Sequence, residues 1–452
     1  MSAARMQNST ASPEAYRRPQ HGPGLLVLLL AAAFAAATCL ADPPAGDDEG
    51  RFVVIKAGRI ITVSGEEIRQ GMIVLSGGRI RNVGRNLEYP LSAKVIDARN
   101  RVVMPGLINP QSRFGLDSHY RGGVHGDLTA AAEFYPRPDM FLDLLKTGYT
   151  SVALIPAGSG IPGRAMVVHT GGSDEQRTVA SPSYLWITTG KSGLRSALKH
   201  AQDEIDKVEK AREEFEKKRA EEQQKQEPPK DQDKPAAADT PPPTTQPTTQ
   251  PAEPPKFEPP PIDPAYQVLV DLIQKKPGVS ALIEVDSASD YVYLSEVLAE
   301  FEIAHDFLAH NGRMSDLDYV VDKLGEKKAR LVLEPFIGRV PYSAEWVHLV
   351  RQFADAGCEV TVMPVRDTPE EHGRVLGRLA DLVRNGWSRE EAIKSVTLHP
   401  ARLLGLDDRL GTIEKDKEAD LLFLDADPLN PTARVRAVMI AGEMVYDSEE
   451  TD

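Results

Sequence analysis

Residues 105–404 carry the pattern that most constrains this fold: short apolar runs alternate with amphipathic stretches of helical spacing. Runs such as "YTSVALI" (149–155), "SALIEV" (280–285) and "ARLVLEP" (329–335) are typical of buried strands, and the stretch 289–301 favours a helix. This alternation predicts an α/β unit with a parallel sheet and helices on its outside. The pattern alone leaves open whether the sheet is an open doubly wound sheet or a closed barrel.

A long insertion, residues 196–264, interrupts this unit. Residues 196–227 are highly charged and have only a thin apolar seam, which predicts a solvated helix stabilised by acid–base pairs four residues apart. Residues 228–264 hold 14 prolines, so they cannot bury a core, and we expect an extended, disordered loop. We interpret the insertion as a solvated excursion, and the alternative is an arm that docks a partner.

Both ends of the remaining chain favour strands. Residues 51–104 alternate apolar and polar side chains, with Gly77 and Gly78 at a hairpin turn. The strand pattern returns over residues 405–447. The chain is therefore predicted to leave a small β-sheet unit, build the large unit, and return.

The first 41 residues have the order of a secretory signal peptide. Arg17 and Arg18 precede an apolar run from Leu25 to Thr38, and a small-residue site ends at Ala41. The run is shorter than the ~20 apolar residues that a spanning helix needs. We expect export to the periplasm or the extracellular space and no membrane span in the mature form, and the alternative is an uncleaved membrane anchor.

Charge and cysteine content exclude some classes of function. The formal net charge is −14, from 53 basic and 67 acidic residues, and this disfavours nucleic acid as a partner. Two distant cysteines form no disulfide framework, and Cys358 lies in an apolar run typical of a buried structural thiol. A small-molecule substrate or ligand is the expected partner, and a homo-oligomer stays open.

Four segments resemble the amidohydrolase superfamily, above all its imidazolonepropionase-like metal-dependent hydrolases, and one of them is "DSASDYVYLSEVLAEFEI" (286–303), which resembles the family's fifth strand and following helix. "RVVMPGLINPQSR" (101–113) resembles the entry to the family's barrel, and "LLKTGYTSVALIPAGSG" (144–160) resembles the region after the first strand–helix unit. The stretch from "VTLHPARLLGL" to "AGEMVY" (396–446) resembles the family's closing segment almost throughout. In all, the resemblance covers roughly residues 51–190 and 265–447.

The resemblance implies a (β/α)₈ TIM-type barrel over residues 105–404 and a small β-sandwich built from residues 51–104 and 405–447. It implies hydrolysis of non-peptide carbon–nitrogen bonds, such as those of cyclic amides, assisted by a divalent metal such as zinc. Active sites of such barrels lie at the carboxyl ends of the strands. There the metal lowers the pKa of its bound water to about 7, and a carboxylate moves protons.

Most of the family's metal-ligand positions are substituted in this chain. The two histidines of the first motif fall on Gln111 and Arg113, and the acid before them falls on Asn109. Glutamine is a poor ligand, and arginine is a permanent cation. The histidine expected on the sixth strand does match, at His310. We therefore expect metal binding to be weak or absent.

Further family positions are matched more loosely. The strand-five histidine falls on Glu284, with Asp286 two residues on, and the strand-eight aspartate falls on Asp367. No lysine stands out on strand four, and we interpret Lys191 as a loop residue. If the chain is active, Asp367 is the predicted proton-transfer carboxylate, and His310 is a metal ligand or a donor to the developing oxyanion. Arg113 then supplies fixed positive charge in place of a metal.

Two alternatives remain open on these residues. A rebuilt metal site needs scattered residues to converge, namely Asp117, His119, His125, His310, Asp367 and His372. The other alternative is a catalytically inactive exported barrel that serves as a ligand-binding or scaffold protein. Open space between convergent polar groups at the barrel mouth favours catalysis, whereas a plugged mouth favours binding. His399 is interpreted as a packing residue.

Overall fold

The structure is a computed structural model, and it describes residues 52–117, 119–135, 138–173, 177–226, 256–310, 316–339 and 342–449. The expected signal peptide and most of the proline-rich tract, residues 227–255, lie outside the described residues.

Strands run through most of the described chain. In chain order they are β1 (Phe52–Ile60), β2 (Ile68–Ser76), β3 (Arg79–Gly84), β4 (Lys94–Pro105), β5 (Leu107–Ser112), β6 (Arg121–Val124), β7 (Tyr149–Leu154), β8 (Gly158–Arg164), β9 (Met166–His169), β10 (Thr178–Ala180), β11 (Leu185–Thr188), β12 (Ala281–Val285), β13 (His305–Ala309), β14 (Arg330–Leu333), β15 (Gly338–Arg339), β16 (Trp346–Val347), β17 (Glu359–Val362), β18 (Leu421–Leu424), β19 (Val435–Ile440) and β20 (Glu443–Asp447).

Helices lie between the strands of the large unit. They are α1 (Pro138–Thr147), α2 (Lys191–Gln226), α3 (Pro264–Ile273), α4 (Ala288–Phe301), α5 (Val321–Glu326), α6 (Leu349–Asp355), α7 (Pro369–Arg384), α8 (Arg389–Lys394) and α9 (Leu398–Leu403), with short 3₁₀ turns at Ala130–Glu133 and Leu317–Val320. Among these described helices, none has both the length and the apolar character needed to cross a membrane.

Seven strands from both ends of the chain form one sheet, in the order β20-β19-β18-β4-β1-β2-β3. The central pairing joins the two ends, because Leu421 of β18 lies opposite Pro105 of β4 in an antiparallel ladder. Successive side chains of a strand point to opposite faces. Leu421 and Phe423 accordingly join a core formed by this sheet's own strands, whereas Leu422 and Leu424 join the main core of the large unit.

Two further sheets build the large unit, in the orders β17-β14-β13-β12-β11-β8-β6 and β10-β9-β7-β5. The run from β11 through β12, β13 and β14 to β17 is parallel throughout, and so is the pair β5–β7. The strands coincide closely with the predicted apolar runs. The architecture is thus the mixed α/β type that the sequence predicts.

The three successive strands β8, β9 and β10 are not predicted by the sequence pattern. β8 runs antiparallel to β11, β9 runs antiparallel to β7, and β10 pairs antiparallel with β9. No helix lies between β8 and β10 among the described residues. β8 reads "GSGIPGR", which has little apolar alternation to mark it as a strand. Its Gly160 has a φ of 89°, and a Cβ there would lie 2.5 Å from the Gly123 carbonyl oxygen. Glycine therefore permits a close approach of β6 that a side chain would block.

The charged insertion begins as part of the core. α2 starts at Lys191, five residues before the predicted start, and its first turns bury Leu194, Leu198 and Ala201. Its later turns are mostly exposed and charged, as the sequence predicts, and Phe215 contacts Phe257 with ring centroids 5.5 Å apart.

Candidate active site

The carboxyl ends of β5, β13 and β17 surround a cavity of about 260 Å³. β13 and β17 are parallel strands of one sheet, so the residues that follow them share an edge, and a hydrogen bond from Ser112 to Asp367 brings the end of β5 to that edge. The cavity is lined by Asn109, Gln111, Ser112, Arg113, His310, Met363, Pro364, Val365, Arg366 and Asp367. Asp367, Arg113 and His310, which the sequence singles out, therefore lie around the same cavity.

Asp367 ties the loop after β17 to the end of β5. Its carboxylate accepts hydrogen bonds from Ser112 Oγ at 3.0 Å and from the backbone N–H of Arg113 at 2.6 Å. Burial raises the pKa of Asp367, although these two donors and the charge of Arg113 oppose the rise. A carboxylate with a raised pKa is a stronger proton acceptor, which is what a general base requires.

His372 lies behind Asp367 on α7 and is 1% exposed. Its Nδ1–H donates to the Thr368 carbonyl oxygen at 2.7 Å, which assigns Nε2 as the acceptor for the Asn109 side-chain amide at 3.0 Å. Burial lowers the pKa of His372, so the imidazole is neutral at pH 7. His372 therefore orients Asn109 at the cavity rather than offering a free nitrogen to a metal.

Aromatic rings explain why the His372 environment disfavours charge. Phe114 and Tyr149 pack edge-on against the imidazole, with ring centroids 5.6 and 4.9 Å away. Burial also raises the pKa of Tyr149, whose hydroxyl has no hydrogen-bond partner in the described part of the chain. The wall behind Asp367 is consequently of low polarity.

His310 is held between two carboxylates. Its Nε2 lies 3.0 Å from Glu284 Oε1 and its Nδ1 lies 3.2 Å from Glu334 Oε1. Hydrogen bonds to Glu284 and Glu334 raise the pKa of His310 to about 10. The residue is thus an imidazolium at neutral pH, with both ring nitrogens engaged. Burial raises the pKa of the neighbouring Asp286, and Glu284 adds to the effect.

The other residues considered for a rebuilt metal site do not line the cavity. His125 Nε2 bonds the Gly122 carbonyl oxygen at 3.0 Å, while His119 and Asp117 are exposed on the loop after β5. Lys191 begins α2 and pairs with Glu296 instead of entering the site.

His399 lies outside the site as well. It is 4% exposed, and its Nδ1 is 2.9 Å from the Val360 carbonyl oxygen. This contact agrees with the interpretation of His399 as a packing residue.

Two contributors to the site were missed by sequence reasoning. Ser112 binds Asp367, and Glu334 binds His310. Glu334 directly follows β14, as His310 directly follows β13. A carboxylate at the end of an apolar strand is the signal that would have found it, because neighbouring parallel strands end side by side.

Comparisons with known proteins agree with this architecture. A family model described as the amidohydrolase family matches residues 356–445. An amidohydrolase structure from Thermotoga maritima MSB8 has a similar fold, with a TM-score of 0.62 and 21% identity over 87% of this chain and 100% of that one.

Curated relatives match a short stretch of this chain. N-acetylglucosamine-6-phosphate deacetylase of Bos taurus is 45% identical over 69 residues, which is 15% of this chain and 16% of that protein. The enzyme of the same name from Homo sapiens is 40% identical over 68 residues. The chain thus spans about a sixth of the length of the curated relatives that it matches.

A divalent metal is typical of amidohydrolases, but the side chains around this cavity, which we call the mouth cavity, do not fit one. By the sequence resemblance, Gln111 and Arg113 fall on the positions of the first two histidines, and neither a glutamine nor a permanently cationic arginine suits a divalent metal. Of the described residues, the one group of three with a ligand geometry lies elsewhere, at His169, Glu418 and Asp420.

Proposed function

We propose that this chain is a hydrolase of non-peptide carbon–nitrogen bonds, such as those of cyclic amides, and that it uses its own side chains at the mouth cavity. The observation that carries the proposal is the convergence of Asp367, Arg113 and His310 on one open cavity. A small amide has room there beside a carboxylate of raised pKa and two cations. The match of residues 356–445 to the amidohydrolase family supports the reaction class.

The same proposal includes a closed (β/α)₈-type barrel as the scaffold. Its support is a set of contacts that bridge the two sheets of the large unit. Ser112 and Asn109 of β5 bind Asp367 and His372, which follow β17. On the other side, Ala165 exchanges backbone hydrogen bonds with residues 183 and 184, just before β11.

In the proposed mechanism Asp367 acts as the general base. It takes a proton from water as the water oxygen attacks the amide carbonyl carbon. The guanidinium of Arg113 stabilises the negative charge that develops on the carbonyl oxygen, and the His310 imidazolium adds a fixed positive charge. Asp367 then returns the proton to the amide nitrogen as the carbon–nitrogen bond breaks. Ser112 and the Arg113 backbone hold the carboxylate in place.

A panel of cyclic amides, assayed by loss of the substrate, tests the proposal. Asp367→Asn removes the base and should lower kcat/KM by about 10²- to 10⁴-fold. Arg113→Met should lower it by about 10²- to 10³-fold. The matched control is Asp355→Asn, an exposed residue on α6. Full activity in Arg113→Met would refute the role of that cation.

A non-catalytic barrel that binds a ligand is the second candidate function. It is favoured by the fully engaged polar groups, since Asp367 accepts from two donors and His310 bonds two carboxylates. Calorimetry with the same amides separates the two candidates. Binding without turnover, little affected by Asp367→Asn, would favour the binding protein.

We further propose export of the chain, on the strength of the signal-like residues 1–41. Sequencing the amino terminus of the protein recovered from the cell envelope or the medium tests this. A new terminus at Asp42 is the expected result, and retention of Met1 in the cytoplasm would contradict it.

A further inference from the structure

A second cluster of ionisable side chains lies at the opposite end of the strands from the mouth cavity. His169 ends β9, and Glu418 and Asp420 come just before β18. The backbone N–H of Gly106, directly before β5, donates to the Asp420 carbonyl oxygen at 2.9 Å. Because β5 runs from this point to the mouth, the cluster is separate from the candidate active site.

The three side chains lie close together, with the imidazole of His169 between the two carboxylates. His169 Nδ1 lies 3.4 Å from Asp420 Oδ2, and His169 Nε2 lies 3.8 Å from Glu418 Oε2. One potential ligand atom from each residue lies within 4.8 Å of the other two. One imidazole and two carboxylates form a donor set that suits divalent transition metals.

Asp420 gives an independent indication that a cation belongs here. Its side chain is 6% exposed, and its Oδ1 accepts the backbone N–H of Ala441 at 2.8 Å. Its Oδ2 accepts no hydrogen bond in the described part of the chain; it lies 3.4 Å from His169 Nδ1, and that nitrogen also lies 3.3 Å from Ser151 Oγ. A buried carboxylate oxygen without a donor is costly, and a bound cation would satisfy it.

Glu418 is fixed from behind by two arginines. Its Oε1 accepts from Arg409 at 2.7 Å and lies 3.4 Å from Arg79. Each guanidinium also bonds a backbone carbonyl oxygen, of Val179 and Asp416 respectively. These contacts orient the carboxylate and leave Oε2 directed at His169, as outer-shell partners do around metal ligands.

A solvent cavity of about 650 Å³ reaches the cluster, and both His169 and Glu418 line it. Water can therefore complete the coordination of an ion that has three protein ligands.

We propose that His169, Glu418 and Asp420 form a divalent cation site, with Zn²⁺ as its preferred occupant. The site is independent of hydrolysis at the mouth, so it stands or falls separately from the proposed function.

Zinc titration of the full-length chain tests the proposal. After treatment with a chelator and desalting, calorimetry with Zn²⁺ alone and elemental mass spectrometry should give one equivalent of bound metal. X-ray absorption of the wild-type zinc complex should show a single imidazole among oxygen ligands. Neither measurement depends on enzymatic activity. No stoichiometric binding, or a zinc shell with more than one imidazole, would overturn the site.

Variants then locate the metal. His169→Ala and Asp420→Asn should each raise the Kd for Zn²⁺ by at least about tenfold. His310→Ala, at the mouth, is the matched control and should leave the Kd unchanged. If circular dichroism shows that either of these two variants does not fold, Glu418→Gln replaces it, because Glu418 is less buried than His169 and Asp420. Loss of zinc on His310→Ala, or retention in all the cluster variants, would contradict the assignment.

Discussion

His310 is the residue whose protonation the fold controls most strongly. Two carboxylates raise its pKa from 6.5 to about 10, so the folded chain holds this proton more tightly than the unfolded chain does. The resulting stabilisation is complete below pH 6.5 and is lost as the pH rises through about 10. The mouth therefore keeps an imidazolium over the whole physiological range.

His310→Gln should accordingly lower the free energy of unfolding at pH 7 by about 1 kcal/mol. The effect is modest because the side chain is 38% exposed and water screens both ion pairs. Urea unfolding at pH 7 and pH 10 measures it, with wild type and variant converging at the higher pH. An equal difference at both pH values would contradict stabilisation by the ion pairs of His310 with Glu284 and Glu334.

At the residue scale, the hydrogen bond from Ser112 also lowers the pKa of Asp367. In the proposed reaction the ionised carboxylate of Asp367 is the active form, so activity is expected to fall as the pH falls through its raised pKa. Ser112→Ala removes a hydrogen bond to that ionised form. The acid limb of the pH–kcat/KM profile should then move up by about one pH unit. Ser343→Ala, an exposed serine, should leave the limb in place.

At the scale of elements, α2 belongs to the core over its first turns and to solvent over the rest. Leu198 is 0% exposed, so Leu198→Ala should lower the free energy of unfolding by about 2 to 4 kcal/mol. Phe215 lies on the outer half, and Phe215→Ala should cost less than about 1 kcal/mol. Denaturant unfolding of the two variants tests this division. Equal losses would mean that the outer half is packed as firmly as the inner half.

At the scale of the whole molecule, the small sheet and the large unit share one core. Leu422, Leu424 and Val438 of the sheet lie in the same cluster as Leu107 and Val152 of the large unit. Calorimetry should therefore show a single unfolding transition for residues 48–452. Leu422→Ala should lower the midpoint temperature of that single transition. Met444→Ala, at a partly exposed side chain, should barely change it. Two separate transitions would contradict a shared core.

The sequence by itself determined most strands and helices of the large unit. Apolar runs of strand length and amphipathic helices are local patterns, and burial of an apolar face is their common cause. The resemblance over residues 51–190 and 265–447 also singled out Asp367, Arg113 and His310, which the fold places around one cavity. Local pattern did not predict β8 to β10, since those strands are specified by glycine contacts with β6 and by pairing with distant segments.

Only the tertiary structure decided what the ionisable residues do. The sequence offers His310 as a metal ligand, yet Glu284 and Glu334 from neighbouring strands engage both of its nitrogens. The sequence offers no reason to group His169 with Glu418 and Asp420, because His169 lies about 250 residues before them along the chain. The charge and binding capacity of a side chain depend on what folding places within a few ångströms of it, and those partners come from distant parts of the sequence.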